Sequence, residues 1–215
     1  MFGGGRIFKN SRGNRAMKSA LKSVLLALAA AALPAAAFAH PAIGDAAGFS
    51  HGFAHPISGL DHVLAMVMVG IFAFQLGGRA TWLVPTTFVL VMALGGALGA
   101  AGIDVPFVEL GIALSVIVLG AIVALDVKAP LAAALGIVGL FAIFHGHAHG
   151  AEMPENAAGV AYAAGFMIAT ALLHGAGLAL GYVVGRAGGR QGAFVARAAG
   201  GIAAISGVGI LAALI

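Results

Sequence analysis

The sequence predicts an all-α polytopic membrane protein, with six transmembrane helices after a cleavable signal peptide. Three observations predict it. Hydrophobic residues make up 61% of the 215 residues and charged residues only 8%, where ordinary soluble domains carry about 25% charged residues. The mean hydropathy of the chain is +1.07, and its apolar residues gather into runs long enough to cross a bilayer. The Lys and Arg residues between those runs all fall on one side. The 34 glycines carry no Gly-X-Y period, which excludes collagen and suits closely packed membrane helices. With no cysteine in the chain, disulfides, iron–sulfur clusters and thiolate metal sites are excluded. The net charge of +4 does not indicate nucleic-acid binding, because six of the 11 Lys and Arg precede residue 23.

That basic stretch belongs to a targeting segment. Residues 1–39 read as a secretory signal peptide: Lys18 and Lys22 precede the apolar run Val24 to Leu33, and Pro34 is followed by the cleavage site Ala37-Phe38-Ala39. Met17 to Ala39 alone has the layout of a bacterial signal peptide, so Met17 is a second candidate start. Cleavage after Ala39 leaves His40 as a mature N-terminus outside the cytoplasm. Residues 40–56 then form a periplasmic N-terminal segment, and 57–215 the six-helix transmembrane domain.

Apolar runs at about 57–78, 81–102, 105–125, 129–150, 158–185 and 193–215 each satisfy the length of a transmembrane helix. Arg79, Lys128, Arg186 and Arg190 lie between spans one and two, three and four, or five and six, and Arg197 lies just inside the sixth. The other connections hold Asp104, Glu152 and Glu155 and no Lys or Arg. The positive-inside rule makes the basic side cytoplasmic. Both termini are therefore expected in the periplasm, and the protein in the bacterial inner membrane. Gly177, Gly181 and Gly185 recur at four-residue spacing, the pattern of a helix-packing ridge.

Eight histidines in so apolar a chain point to metal chemistry. His40, His51, His55 and His62 surround the start of span one, and His145, His147 and His149 end span four. His174 lies near the middle of span five. Asp45, Asp61, Asp104, Glu109, Glu152 and Glu155 share the outer layer with the first seven, and Lys and Arg are absent from it. Imidazole with carboxylate and no thiolate suits nickel, cobalt, zinc or copper. On one continuous helix His55 and His62 share a face, which Met66 continues one turn deeper. Asp61 is either a ligand or the acceptor that holds the His62 tautomer. An Asp–His pair one turn into a span is functional by default. His145 and His149 share a face and His147 points elsewhere if the helix is regular. The alternative is that the run from His145 to Gly150 is partly unwound around a cavity. His174, one turn from Thr170, is expected as a second station inward. The metal ligands expected are His55, Asp61, His62, His145, His149 and His174, with His40, Met66, Glu109, His147 and Glu152 as secondary candidates.

Three motifs at these positions resemble one family. His55-Pro56-Ile57-Ser58-Gly59-Leu60-Asp61-His62, running on to Ala65-Met66, is similar to the signature that opens the first span of the HupE/UreJ proteins. Phe144-His145-Gly146-His147-Ala148-His149-Gly150-Ala151-Glu152 resembles their second signature, and Thr170-Ala171-Leu172-Leu173-His174-Gly175-Ala176-Gly177 their third. The resemblance covers essentially the whole chain. It implies a nickel permease, or a secondary transporter of a related metal, serving urease or hydrogenase maturation.

The leading reading is a transporter that moves Ni²⁺ or Co²⁺ from periplasm to cytoplasm as substrate, with no prosthetic group. Its partners are the metal ion, the bilayer, a possible second copy of the chain and, by function, urease or hydrogenase maturation proteins. No G-x-x-x-x-G-K-[ST] loop is present, so the chain does not itself hydrolyse ATP. The competing reading is a membrane-embedded metalloenzyme or metal sensor using the same His/Asp site, although no H-E-x-x-H helix is present. A bis-His haem protein needs facing histidines at matched depth, and His174 alone sits deep.

Overall fold

The computed structural model describes residues 45–153, 157–186 and 189–215. The expected signal peptide, the start at Met17, His40 and Glu155 lie outside the described residues. Among the described residues every regular element is a helix: α1 Asp45–Ser58, α2 Leu60–Leu76, α3 Ala80–Ala100, α4 Val108–Leu125, α5 Leu131–Ala151, α6 Ala157–Arg186 and α7 Gly189–Leu214. α3 to α7 are each long and apolar enough to cross a membrane. α1 and α2 meet at a 79° bend and make a sixth span only when the two are counted as one segment. At 17 residues, α2 by itself is about 26 Å long, short of a hydrocarbon core of about 30 Å. The expected straight first span over 57–78 is therefore a broken one. Pro56 near the end of α1 and the extended Gly59 mark the break, since proline and its preceding residue disfavour helix continuation. α1 also gives a helix to much of the stretch expected as a periplasmic segment.

α2 is the hub. It packs against α1, α3, α4, α6 and α7, and its residues Met66, Met68, Val69, Ile71, Phe72 and Ala73 are buried. The most extensive helix pairs around it are α3 with α5, α4 with α7, and α1 with α6. Each of these is a glycine contact. A Cβ on Gly146 or Gly150 would meet the backbone of Met92 or Gly96, and one on Gly99 would meet His147 and Ala151. Lipid gives helices no hydrophobic reason to associate, so backbone contact through small residues supplies the attraction. The expected ridge on α6 behaves the same way: Gly177 lies against Val67, while Gly181 and Gly185 receive the Phe74 ring.

The two ends of the bundle differ in chemistry. At one end Lys128 Nζ donates to Gln75 O at 3.0 Å and pairs with Asp126 at 2.7 Å. There too, Gln75 Nε2 donates to Val123 O at 3.0 Å and Arg197 Nε donates to Ala124 O at 2.9 Å. Cations thus cap the C-terminal carbonyls of α2 and α4, where the helix dipole favours them. Gly77 and Gly78, both at positive φ (67° and 53°), make the α2–α3 turn, a conformation that costs glycine little. The opposite end holds Asp61, Asp104, Glu109 and Glu152 together with the histidines of α1, α2 and α5.

Candidate metal centre

At that opposite end, α1, α2 and α5 deliver the imidazoles. His55 closes α1, His62 opens α2, and His145 and His149 lie one turn apart near the end of α5. The ring of His149 is 4.5 Å from that of His55 and 4.5 Å from that of His62. His62 in turn lies 4.7 Å from His145. His55 and His62 meet, 6.5 Å apart, because the chain bends between them. Their convergence comes from two helices, not from one shared helical face. Nitrogens of His55 and His149 and a carboxylate oxygen of Glu152 also lie within 4.8 Å of one another, near enough to hold one metal ion.

Burial increases along this line. Glu152 is exposed and His55 half-buried, while His149, His62 and His145 are 7%, 5% and 0% exposed. The protons are constrained as well. His62 Nδ1 lies 3.0 Å from Asp61 Oδ1, and a carboxylate accepts only, so Nδ1 carries the hydrogen and the neutral ring keeps its lone pair on Nε2. Gly59 makes room for this, since a Cβ there would stand 2.8 Å from Asp61 Oδ1 and 3.1 Å from His62 Nδ1. His62 Nε2 faces His149 Nε2 at 2.5 Å. Two neutral imidazole nitrogens in that position need a shared proton or a cation. His149 Nδ1 and His145 Nδ1 are buried without a hydrogen-bond partner, each a cost of about 1–3 kcal/mol for a polar atom left unpaired. A divalent ion bound by neutral imidazoles would use such lone pairs.

Other candidates fall elsewhere. The run from His145 to Gly150 is regular helix, so its glycines serve contact with α3 and are not sites of unwinding. His147 is turned away and buried, and its Nε2–H donates to Ile103 O at 2.8 Å, tying down the α3–α4 connection. Met66 is wholly buried in the apolar core. Glu109, in the first turn of α4, is exposed and is not one of the grouped ligands. His174, 1% exposed, has neither nitrogen partnered. The Phe88 ring packs against both it and the cluster, 5.1 Å from His174 and 5.7 Å from His145. Thr170 Oγ1, one turn from His174, donates to Met92 Sδ at 3.8 Å.

The structure adds residues that sequence reasoning missed. Phe166 packs its ring 4.4 Å from His149, and Tyr162 lies 6.1 Å from His55. Ser115 Oγ lies 2.9 Å from His145 Nε2. A signal for Ser115 was present: beyond Glu109 in the first turn, it is the one polar side chain in α4. Beside His149, between α3, α5 and α6, a cavity of about 210 Å³ is lined mostly by Met, Ala and Gly.

The chain is 50% identical over 156 residues to Protein HupE of Rhizobium leguminosarum bv. viciae, a match that covers 73% of this chain and 80% of the relative. No solved structure matches it. The profile of the family described as HupE / UreJ protein matches residues 26–210. A match over so much of the chain, with the three His-bearing motifs inside it, makes this protein a member of the HupE/UreJ family.

Proposed function

We propose that the protein is an inner-membrane transporter, not an enzyme, which carries Ni²⁺ from the periplasm to the cytoplasm, with Co²⁺ as the competing cargo. The observation that carries this reading is the line of imidazoles whose burial increases from the exposed Glu152 to the fully buried His145. An ion met at Glu152 and His55 passes to His149 and His62, then to His145. Asp61 acts chiefly through His62, orienting the ring and raising its basicity, while its charge favours a cation. His174 is the next station, and the Phe88 ring packs against both it and His145. A transport site must bind selectively and still release, which several neutral imidazoles on different helices allow. Inward movement needs no ATP, because a potential of about 100 mV favours a doubly charged ion by about 4.6 kcal/mol. The basic end faces the cytoplasm and both chain ends lie in the periplasm. The cargo serves maturation of a nickel enzyme, urease or hydrogenase.

The test is uptake into proteoliposomes of nickel, cobalt and zinc, with and without a proton gradient. His62→Ala, Asp61→Ala and His174→Ala are expected to abolish nickel uptake, and His51→Ala, on the exposed side of α1, to be mild. If the first three insert normally and transport like the wild type, the site assignment is wrong.

A further inference from the structure

Ser115 sits in the middle of the bundle, 0% exposed, and its hydroxyl has two neighbours. Ser115 Oγ donates to Ile112 O at 2.6 Å, one turn back along α4, and lies 2.9 Å from His145 Nε2. A hydroxyl has one hydrogen. The carbonyl of Ile112 can only accept, so it takes that hydrogen, and Ser115 Oγ must then accept from His145. His145 therefore carries its proton on Nε2. Its other nitrogen, Nδ1, is buried and without a partner, in a ring whose centre lies 4.7 Å from that of His62 with the two planes nearly perpendicular.

We propose that Ser115 is a positioning residue that fixes His145 as the Nε2–H tautomer and so leaves the Nδ1 lone pair for the metal ion. His62 is set the opposite way, since the Asp61 carboxylate accepts its Nδ1–H and leaves the lone pair on Nε2, which faces His149 Nε2. A hydroxyl on α4 and a carboxylate on α2 thus pre-set two neighbouring imidazoles, so neither has to exchange tautomers when the ion arrives. Outer hydrogen bonds of this kind commonly change metal affinity by 10–100-fold. The inference rests on the cluster being a metal site, but the tautomer itself can be read without metal.

The experiment uses the full chain, ¹⁵N-labelled at histidine, in lipid nanodiscs, with the His145 signals identified by their loss in His145→Gln. The wild type is expected to show a protonated Nε2 and an unprotonated Nδ1 at His145. Ser115→Ala should lose that preference and bind Ni²⁺ about tenfold more weakly, and Ser115→Thr, which keeps the hydroxyl, should restore both. A wild-type His145 protonated on Nδ1 overturns the proposal, whether or not any variant folds. So does a Ser115→Ala protein that keeps both the tautomer and the Ni²⁺ affinity. If the wild type binds no Ni²⁺ while Ser115→Ala still releases the tautomer, the transport reading fails and the hold of Ser115 on His145 is supported.

Discussion

His62 Nε2 and His149 Nε2 stand 2.5 Å apart although 87 residues separate them in sequence. Two nitrogens bound to one ion at about 2.0–2.1 Å each are about 3 Å apart. An ion bound by both therefore takes the place of the hydrogen bond that now joins them.

Competition with protons follows directly. Imidazole ligates only when neutral, so protons and metal compete for the same lone pairs. Nickel binding is expected to be strongest at neutral and mildly alkaline pH and to fall as the medium is acidified. Equilibrium dialysis of purified protein against Ni²⁺, across the whole pH range in which the protein stays folded, measures this, and an affinity that falls nowhere in that range would overturn the prediction.

The α3–α5 contact should be as critical as the ligands. Gly146 lies between His145 and His149 in sequence, and an added Cβ would strike Met92 O and approach Gly96 N to 2.8 Å. Gly146→Ala is expected to push the helices apart, lowering stability by about 1–3 kcal/mol and weakening nickel binding. Gly136, on the same helix, has nothing within 4 Å of its would-be Cβ. Gly136→Ala should be neutral, or stabilise by up to about 1 kcal/mol through helix propensity. Thermal unfolding of the two variants, side by side, makes the comparison.

His174 offers a separation of stability from function. Its two nitrogens are buried and unpaired, and replacing an unsatisfied polar group by an apolar one is near neutral or stabilising. His174→Leu is therefore expected to melt within a few degrees of the wild type, or higher, while losing nickel uptake. Unfolding and uptake measured on one preparation decide it. A variant that is both less stable and fully active would remove His174 from the route.

Orientation can be read chemically, because the chain has no native cysteine. Asp104 and Val127 are both exposed, in the α3–α4 and α4–α5 connections. In intact cells with a permeable outer membrane, Asp104→Cys should react with an impermeant maleimide. Val127→Cys should react only after the inner membrane is opened. The reverse pattern would invert the topology.

What the sequence by itself determined are the properties that depend on local composition. Span lengths, the one-sided Lys and Arg residues and the His–carboxylate end were all legible, because each is a count along the chain. α3 to α7 fall within a few residues of the runs read from hydropathy. The His145/His149 face and the divergence of His147 followed from helical period alone. Tertiary structure decided what meets what. Hydropathy could not show the bend at Gly59, because both sides of it are apolar. Yet that bend, and not a shared face, brings His55 to His62. Whether the glycines of the second motif unwind the helix or pack it depended on the presence of α3 beside them. Ser115 and Phe88 look like ordinary members of apolar spans until α4 and α3 are docked against α5. Periodicity is a property of one helix, whereas a site built between helices depends on which backbones can approach, and that is set by small residues on both partners.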